Sequence, residues 1–267
     1  MVDGFSNLKE KALRVARTRR AGALNGVANG ATSPGGELAS LEAADRAIVE
    51  RALPHTMTGV PRLLALIDAV RYLERRGVPG GFAECGVWRG GSVLAMIETL
   101  RGAGAAPRDI WLYDTFEGMT EPTDQDVSAF EPPALETWRA ATARGERPWA
   151  DLFSAAMFDE ASVRDTLVAT GYAPERLHFV RGPVEETLPR HMPEGPLALL
   201  RLDTDWYEST RHELAHLYPR LVSGGILIID DYGHFEGARR AVDEYFAQGE
   251  PILLTRIDYT GRLAVKP

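Results

Sequence analysis

The sequence predicts an α/β fold, in which a doubly wound, mostly parallel seven-stranded sheet ends in an antiparallel strand. Short apolar runs such as 197–202 and 226–229 have the length of buried parallel strands, and both stop at carboxylates. Amphipathic segments of helical length separate these runs, as is typical of a sheet covered by helices on both faces. The last two predicted strands, 252–257 and 262–265, flank Thr260-Gly261 and predict an antiparallel hairpin.

Composition limits the classes of function. The chain has 267 residues, the length of one large domain or of a domain with an appendage, and 45% of them are hydrophobic, enough for a substantial core. Its net charge of −8 argues against nucleic acid, which needs a basic surface. No apolar run reaches the ~18 residues of a membrane span, and the charged N-terminus lacks the apolar core of a signal peptide. Cys85 is the single cysteine, which excludes an internal disulfide. We therefore expect a cytoplasmic protein without nucleic-acid or membrane partners.

Two parts are predicted along the chain. An N-terminal helical and linker segment, 1–58, precedes a main domain at 59–267. In the first part, residues 5–20 fit a basic helix, and 21–38 are rich in Gly, Ala, Asn and Ser, which predicts a flexible linker. A short helix over 40–51 follows.

The main domain alternates helices and strands. Gly77 ends its first helix, Pro79-Gly80-Gly81 turns the chain into the sheet, and Ser223-Gly224-Gly225 predicts a second turn. In chain order we predict helices over Val60–Arg76, 93–100, 161–170, 207–221 and 237–247. We predict one strand at the start of 81–92, and further strands over 110–113, 177–180, 197–202, 226–229, 252–257 and 262–265.

A glycine-rich turn follows the first predicted strand. Glycines let the backbone approach a ligand closely, and the helix that follows favours an anionic group at its N-terminus. The spacing of Gly86, Gly90 and Gly91 is not the GxGxxG of a dinucleotide site. Pyrophosphate binding is therefore not supported. Glu84 precedes the turn and Ser92 follows it.

The second predicted strand ends at Asp114. A carboxylate in this position accepts the ribose hydroxyls of a nucleoside ligand, and the alternative is a turn or cap residue. Gly182, after the third strand, is placed where an adenine would lie against the backbone. Glu185 and Glu186 are predicted to stabilise the start of the next helix.

Residues 119–160 are too long for an ordinary crossover. They are rich in prolines, acidic residues and aromatic residues, and long insertions of this kind are usually lids or binding loops. The alternative is a surface decoration without a function.

Four carboxylates follow the two most apolar strands. Asp203 and Asp205 follow one strand, and Asp230 and Asp231 follow the other. Parallel strands would bring the four to one rim of the sheet. Like charges at close range disfavour ionisation, so a divalent cation with oxygen ligands is a natural counter-charge. The alternative is that these residues cap helices or lie in turns.

On these motifs the chain resembles the macrocin O-methyltransferase family, the metal-dependent sugar O-methyltransferases of antibiotic biosynthesis, within the class I S-adenosylmethionine-dependent methyltransferases. The resemblance spans roughly 50–247. The matching segments are His55-Thr56-Met57, Glu84 through Gly91, Asp114 through Gly118, Leu202 through Tyr207, and Tyr218 through Tyr232.

The resemblance implies the class I methyltransferase fold and a cofactor pair of S-adenosylmethionine and Mg²⁺. It implies that Asp203, Asp230 and Asp231 bind the metal and that Asp205 is the general base. It also implies a glycosylated small-molecule acceptor and a homodimer or larger homo-oligomer. The residues expected to bind the cofactor are Thr56, Met57, Glu84, Gly86, Arg89, Ser92, Asp114, Gly182 and Asp203.

The base is expected to be Asp or His, because the lysines, Lys9, Lys11 and Lys266, lie near the ends of the chain. If residue 204 continues the strand, Asp203 and Asp205 point to the same side. His55 and His234 are rival bases.

The favoured function is a Mg²⁺-dependent O-methyltransferase that acts on a deoxysugar hydroxyl of an antibiotic-type natural product. One alternative is an enzyme of the same fold that methylates a catechol-like phenol or another vicinal diol. Another is a non-catalytic nucleotide- or metal-binding module.

Overall fold

The computed structural model describes residues 34–153 and 158–267, so the basic helix predicted over 5–20 lies outside the described residues. The strands are β1 (Gly81–Cys85), β2 (Ile110–Asp114), β3 (Leu177–Arg181), β4 (Leu197–Leu202), β5 (Leu221–Ile229), β6 (Thr255–Arg256) and β7 (Arg262–Val265). The helices are α1 (Pro34–Ala39), α2 (Ala43–Ala52), α3 (Val60–Arg76), α4 (Gly91–Gly102), α5 (Ala134–Ala143), α6 (Glu160–Val168), α7 (Val184–Thr187), α8 (Tyr207–His216) and α9 (Glu236–Ala247).

The strands form one sheet in the order β3-β2-β1-β4-β5-β7-β6. The first five strands pair in parallel, whereas β7 is antiparallel to β5 and β6 is antiparallel to β7. This confirms the predicted fold class. Every residue of β4, at the centre, is buried, because helices cover both faces of the sheet.

The register places four strand ends side by side. Tyr113, Cys85, Leu202 and Ile229 form one row across β2, β1, β4 and β5. The residues that follow this row therefore leave the sheet together, at the edge where open α/β sheets bind ligands.

The N-terminal helices pack against the same core as the main domain. Val49 and Ala52 of α2 are fully buried and join the cluster that contains Leu63 and Ile97. The boundary predicted at residue 58 stays a prediction. No helix among the described residues is long and apolar enough to cross a bilayer.

The prediction of a flexible linker over 21–38 is wrong for its last residues, because Pro34 begins helix α1. Proline suits the first turn of a helix, since its fixed φ is helical and the amide it lacks would have no partner there. The rest of that segment lies outside the described residues.

Two predicted boundaries around β5 are also wrong. Helix α8 ends at His216 rather than near 221, because Pro219 disfavours helical backbone in the residue before it. The predicted turn at 223–225 lies inside β5, where Gly224 donates to the Lys266 carbonyl and the Lys266 amide donates to Gly225. These bonds continue the strand through an irregular register. Strand β6 has two residues, shorter than predicted, as is common at a sheet edge.

The insertion is fastened to the domain by a buried carboxylate. Asp126 accepts hydrogen bonds from the Tyr207 amide at 2.7 Å and from the Thr123 amide at 2.7 Å. The adjacent Val127 carbonyl accepts from the Glu236 amide at 2.9 Å. The insertion is thus bonded to the first residues of α8 and α9, the two helices that follow the acidic loops.

We expect Asp126→Ala to lower the free energy of unfolding by about 1–3 kcal/mol, because it leaves the partly buried amides of Thr123 and Tyr207 without an acceptor. Urea denaturation measures this change. Asp124→Ala is the matched control, since Asp124 is an exposed acid of the same turn. Equal stabilities of the two variants would show that Asp126 does not hold the insertion.

Candidate functional site

The acidic loops converge at the carboxyl edge of the sheet. Asp203 follows β4, and Asp230 and Asp231 follow β5. One oxygen from each carboxylate lies within 4.8 Å of the others. Asp230 and Asp231 are buried, and Asp203 is half-buried. The structure therefore brings together the three residues predicted to bind metal.

A buried arginine at the end of β4 connects these carboxylates to the glycine-rich turn. Arg201 Nη1 donates to Glu84 Oε1 at 2.5 Å and to Asp203 Oδ2 at 2.8 Å. Its Nη2 donates to Asp230 Oδ1 at 2.6 Å and to Thr58 Oγ1 at 2.8 Å. One guanidinium thus bridges β1, β5 and the loop before α3.

The charged groups of this network shift one another's pKa values. Burial lowers the pKa of Arg201, but the carboxylates of Asp203, Asp230 and Glu84 outweigh it and raise the pKa well above its usual value. Burial raises the pKa of Glu84 to about 7, against the opposing effect of Arg201. The arginine therefore stays charged, and Glu84 titrates near neutral pH.

A second buried arginine, Arg62 of α3, also pairs with Asp230. Its Nε lies 3.1 Å from Asp258 Oδ2, in the loop between β6 and β7. Asp230 therefore has arginine partners on both carboxylate oxygens. The counter-charge that the crowded acids require comes in part from the protein itself.

Asp114 holds the glycine-rich turn. Its Oδ2 accepts from the Val87 amide at 2.7 Å and the Trp88 amide at 2.9 Å, and its Oδ1 accepts from the Phe116 amide at 2.7 Å. Burial raises the pKa of Asp114, while these three amide bonds oppose the rise. The carboxylate that was predicted to bind ribose also fixes the loop around it.

Gly86 allows the turn after β1 to contact the acidic loop after β4. Its φ is 81°, a left-handed value that favours glycine, and a Cβ there would overlap the carbonyl oxygen of Asp203. A side chain at this position would separate the turn after β1 from the acidic loop after β4.

An open cleft lies above this edge. Arg89 is not among the residues that line it, and its guanidinium lies 5.5 Å from the ring centroid of Trp88. Glu84, Asp230 and Asp231 are buried and do not line it. Glu84 and Asp230 are bonded to Arg201, which does line the cleft. The predicted residues in the lining are Thr56, Met57, Gly86, Ser92, Asp114, Gly182, Asp203 and Asp205.

Asp205 lies in the cleft lining, but not as a continuation of β4. The strand ends at Leu202, and Asp205 has a φ of 68°. Trp88 and Phe116, in the loops after β1 and β2, also have positive φ. Strained backbone of this kind is held in place by the surrounding structure and concentrates at functional sites.

The histidines proposed as rival bases do not line the cleft. His234 is buried, with Nδ1 2.9 Å from the Tyr259 hydroxyl and Nε2 3.3 Å from Glu131 Oε1. The Gly91 backbone lies against the carbonyl group of His55.

Glu213 of α8 is a buried carboxyl behind the acidic loop. Its Oε1 accepts from Thr204 Oγ1 at 2.8 Å, between Asp203 and Asp205. Burial raises the pKa of Glu213 to about 8. This residue supports the loop that carries two of the predicted functional residues.

Sequence reasoning missed Arg201, Arg62 and Glu213, although each leaves a signal. Arg201 is the one charged residue of an otherwise apolar strand. Arg62 and Glu213 lie at helix positions that belong to the buried stripe. A charge at a core position indicates a buried partner of opposite charge or a neutralised group.

Comparisons with known proteins show the family to which the chain belongs. Residues 35–264 match the family model described as Macrocin-O-methyltransferase (TylF). The 8-demethyl-8-(2,3-dimethoxy-alpha-L-rhamnosyl)-tetracenomycin-C 4'-O-methyltransferase of Streptomyces olivaceus is 36% identical over 213 residues, 79% of this chain and 75% of that protein. The mycinamicin III 3''-O-methyltransferase of Micromonospora griseorubida is 35% identical over 191 residues, 72% of this chain and 70% of that protein. The solved structure of the O-methyltransferase NovP is 33% identical, with a TM-score of 0.65 over 79% of this chain and 82% of that chain.

We expect Glu213→Gln to change how stability depends on pH. Above about pH 4.5 the unfolded chain releases the Glu213 proton while the folded protein keeps it up to about pH 8, so wild-type stability falls across this window. The glutamine variant lacks this loss. Its stability relative to wild type should therefore rise with pH, by at most ~1.4 kcal/mol per pH unit.

Urea denaturation between pH 5 and 8 measures this difference. Glu208→Gln, at a more exposed position of the same helix, is the control, and its curve should run parallel to the wild type. A parallel curve for Glu213→Gln would contradict the assignment of a raised pKa.

Proposed function

Because the chain belongs to the macrocin O-methyltransferase family, we propose that it moves a methyl group from S-adenosylmethionine to a deoxysugar hydroxyl of a natural product, with Mg²⁺ as its metal. Two of its relatives are named as O-methyltransferases of a rhamnosyl tetracenomycin and of mycinamicin III. The observation that carries the proposal is the convergence of Asp203, Asp230 and Asp231 beside the cleft that Gly86 and Asp114 line. The sheet order and the antiparallel final strands are those of class I methyltransferases.

The acidic residues suit a hard divalent cation. Carboxylate oxygens are the donors that Mg²⁺ prefers, and oxygens around one Mg²⁺ are roughly 3–4 Å apart. The carboxylates of Asp203, Asp230 and Asp231 lie within 4.8 Å of one another, so a contraction of about 1 Å meets that spacing. Arg201 and Arg62 do not neutralise the whole set, because Glu84 and Asp258 share the same two guanidiniums. Negative charge therefore remains for a metal.

The donor half of the cleft suits S-adenosylmethionine. Glu84 lies under the glycine-rich turn and provides a carboxyl group for the methionine part of the cofactor. Asp114 and Gly182 both line the cleft, which supports ribose binding by Asp114 and packing of the adenine against the backbone of Gly182. Trp88 and Met57 add apolar surface to the same wall.

The reaction needs a hydroxyl to lose a proton as it attacks an electrophilic methyl group. Bound Mg²⁺ supplies Lewis acidity toward an oxygen of the acceptor, and the sulfonium supplies the methyl group. Asp205 accepts the hydroxyl proton from its place in the cleft lining. Asp114 and the strained turn at Trp88 fix the donor, so that positioning contributes much of the rate.

An acceptor screen tests the function. The protein is incubated with S-adenosylmethionine and Mg²⁺ against glycosylated macrolides, aminocoumarins and anthracyclines, with catechols as the competing class, and mass spectrometry detects methylation. We expect methylation of a sugar hydroxyl. Turnover of catechols alone would favour the phenol methyltransferase, and no turnover combined with no cofactor binding would support a non-catalytic module.

We expect Asp114→Ala to weaken S-adenosylmethionine binding by about 2–3 kcal/mol, because it removes charge-assisted hydrogen bonds. Isothermal titration calorimetry measures the affinity. Asp109→Ala, just before the amino end of the same strand, is the control and should bind normally. A cofactor analogue without ribose hydroxyls should lose less affinity in Asp114→Ala. Unchanged affinity for the natural cofactor would remove Asp114 from the site.

Substitutions of the acids should separate metal binding from proton transfer. Asp203→Asn, Asp230→Asn and Asp231→Asn should each weaken Mg²⁺ binding, and added metal should partly restore activity. Asp205→Asn should leave Mg²⁺ affinity nearly unchanged and lower turnover by roughly 10²–10⁴-fold, with partial recovery at high pH. Calorimetry with Mg²⁺ and steady-state kinetics distinguish the two patterns. A large loss of Mg²⁺ affinity in Asp205→Asn would make Asp205 a ligand instead.

A further inference from the structure

Two arginines flank Tyr232, the residue after Asp231, and a third is the strand partner of one of them. Arg239 lies on α9, Arg256 on β6 and Arg262 on β7. The guanidinium carbons of Arg262 and Arg239 lie 4.8 Å and 5.6 Å from the ring centroid of Tyr232. We call these three residues the arginine cluster.

The cluster places like charges where a sheet normally avoids them. Arg256 and Arg262 are direct register partners in the antiparallel pair of β6 and β7. Side chains in such a position are about 5 Å apart at Cβ, and like charges there destabilise the pair. Burial lowers the pKa of Arg262, and the charges of Arg256 and Arg239 lower it further, against the opposing effect of Tyr232 and Asp258.

No carboxylate of the described residues forms an ion pair with the cluster, although the charge of Asp258 raises the pKa of Arg262. Among residues 34–153 and 158–267, none lies within 4 Å of the nitrogen atoms of these three arginines. The neighbouring acids have other partners. Asp258 pairs with Arg62 and accepts from the Thr260 and Gly261 amides, and Asp243 accepts from the Tyr232 hydroxyl.

Backbone carbonyls fix the three guanidiniums in place. Arg239 Nε donates to the Tyr232 carbonyl at 3.1 Å, and Arg256 Nε donates to the Asp258 carbonyl at 2.7 Å. Arg262 Nη1 donates to the Gly261 carbonyl at 2.8 Å. Each bond uses one nitrogen of a guanidinium that has three, so further N–H groups are available for a ligand.

We propose that Arg239, Arg256 and Arg262 form an anion site for a phosphate or diphosphate group. Guanidinium groups match phosphate oxygens with paired hydrogen bonds. A single carboxylate has two oxygens and is satisfied by one guanidinium, whereas three guanidiniums match the larger number of oxygens and charges of a diphosphate. The site would stand out on a chain whose net charge is −8.

Two sources share this chemistry. Tyr232 directly follows Asp231, so a phosphate on the acceptor, as in a nucleotide-activated sugar, would lie beside the acidic rim; this source rests on the proposed function. The other source is a free phosphate ion, which requires no sugar.

Titration calorimetry with inorganic pyrophosphate, on the full chain in EDTA without a methyl donor, tests the site independently of methyl transfer. We expect binding that Arg239→Gln and Arg256→Gln each weaken by about tenfold or more. Both side chains are exposed, so the variants are expected to fold, and thermal unfolding verifies this. Arg240→Gln is the matched control on the same helix, because Arg240 pairs with Glu244, and it should bind as the wild type does.

A second titration, with a nucleoside diphosphate sugar, separates the sources. Tighter binding than pyrophosphate, lost in the same two variants, would identify a nucleotide-activated sugar; equal or weaker binding would identify the free anion. Absence of pyrophosphate binding at millimolar concentration would overturn the proposal. So would equal losses in Arg240→Gln and the two cluster variants, which would show only a general effect of charge.

Discussion

The buried guanidinium of Arg201 is the interaction on which the rest of the site depends. It is bonded to Glu84, Asp203, Asp230 and Thr58, and it is almost entirely shielded from solvent. Removing one partner of a buried ion pair usually costs about 3–5 kcal/mol, because the remaining charge is left without compensation. The acidic residues can be crowded at one edge of the sheet because this positive charge lies among them.

The parallel register explains why one arginine can reach all of these groups. The strand ends of β1, β4 and β5 lie in one row, so the residues just before and after that row are neighbours although they are far apart in sequence. Gly86 then allows the turn after β1 to contact the loop after β4. As a result, the half of the cleft assigned to the methyl donor and the half assigned to the metal form one continuous unit.

Much of this arrangement could be predicted from the sequence. Apolar runs that end in carboxylates predicted the strand ends and the convergence of Asp203, Asp230 and Asp231, because strand direction determines which edge the residues share. The arginine partners could not be predicted from spacing alone, because Arg62 comes from a helix outside the sheet. The assumption that residue 204 continues β4 was wrong, since the backbone of Asp205 turns into the left-handed region. The local sequence pattern does not indicate this turn, in which the Thr204 hydroxyl donates a hydrogen bond to the buried Glu213 of α8.

The central claim is that Arg201 holds the carboxylates in a geometry that binds a divalent ion next to the donor pocket. A crystal structure of the protein with Mn²⁺ and S-adenosylhomocysteine, with anomalous scattering to locate the metal, tests it most directly. The account predicts one metal peak coordinated by Asp203, Asp230 and Asp231, with Arg201 still paired with Glu84. No metal at these residues under saturating Mn²⁺ would contradict the account and make the network a purely structural set of ion pairs.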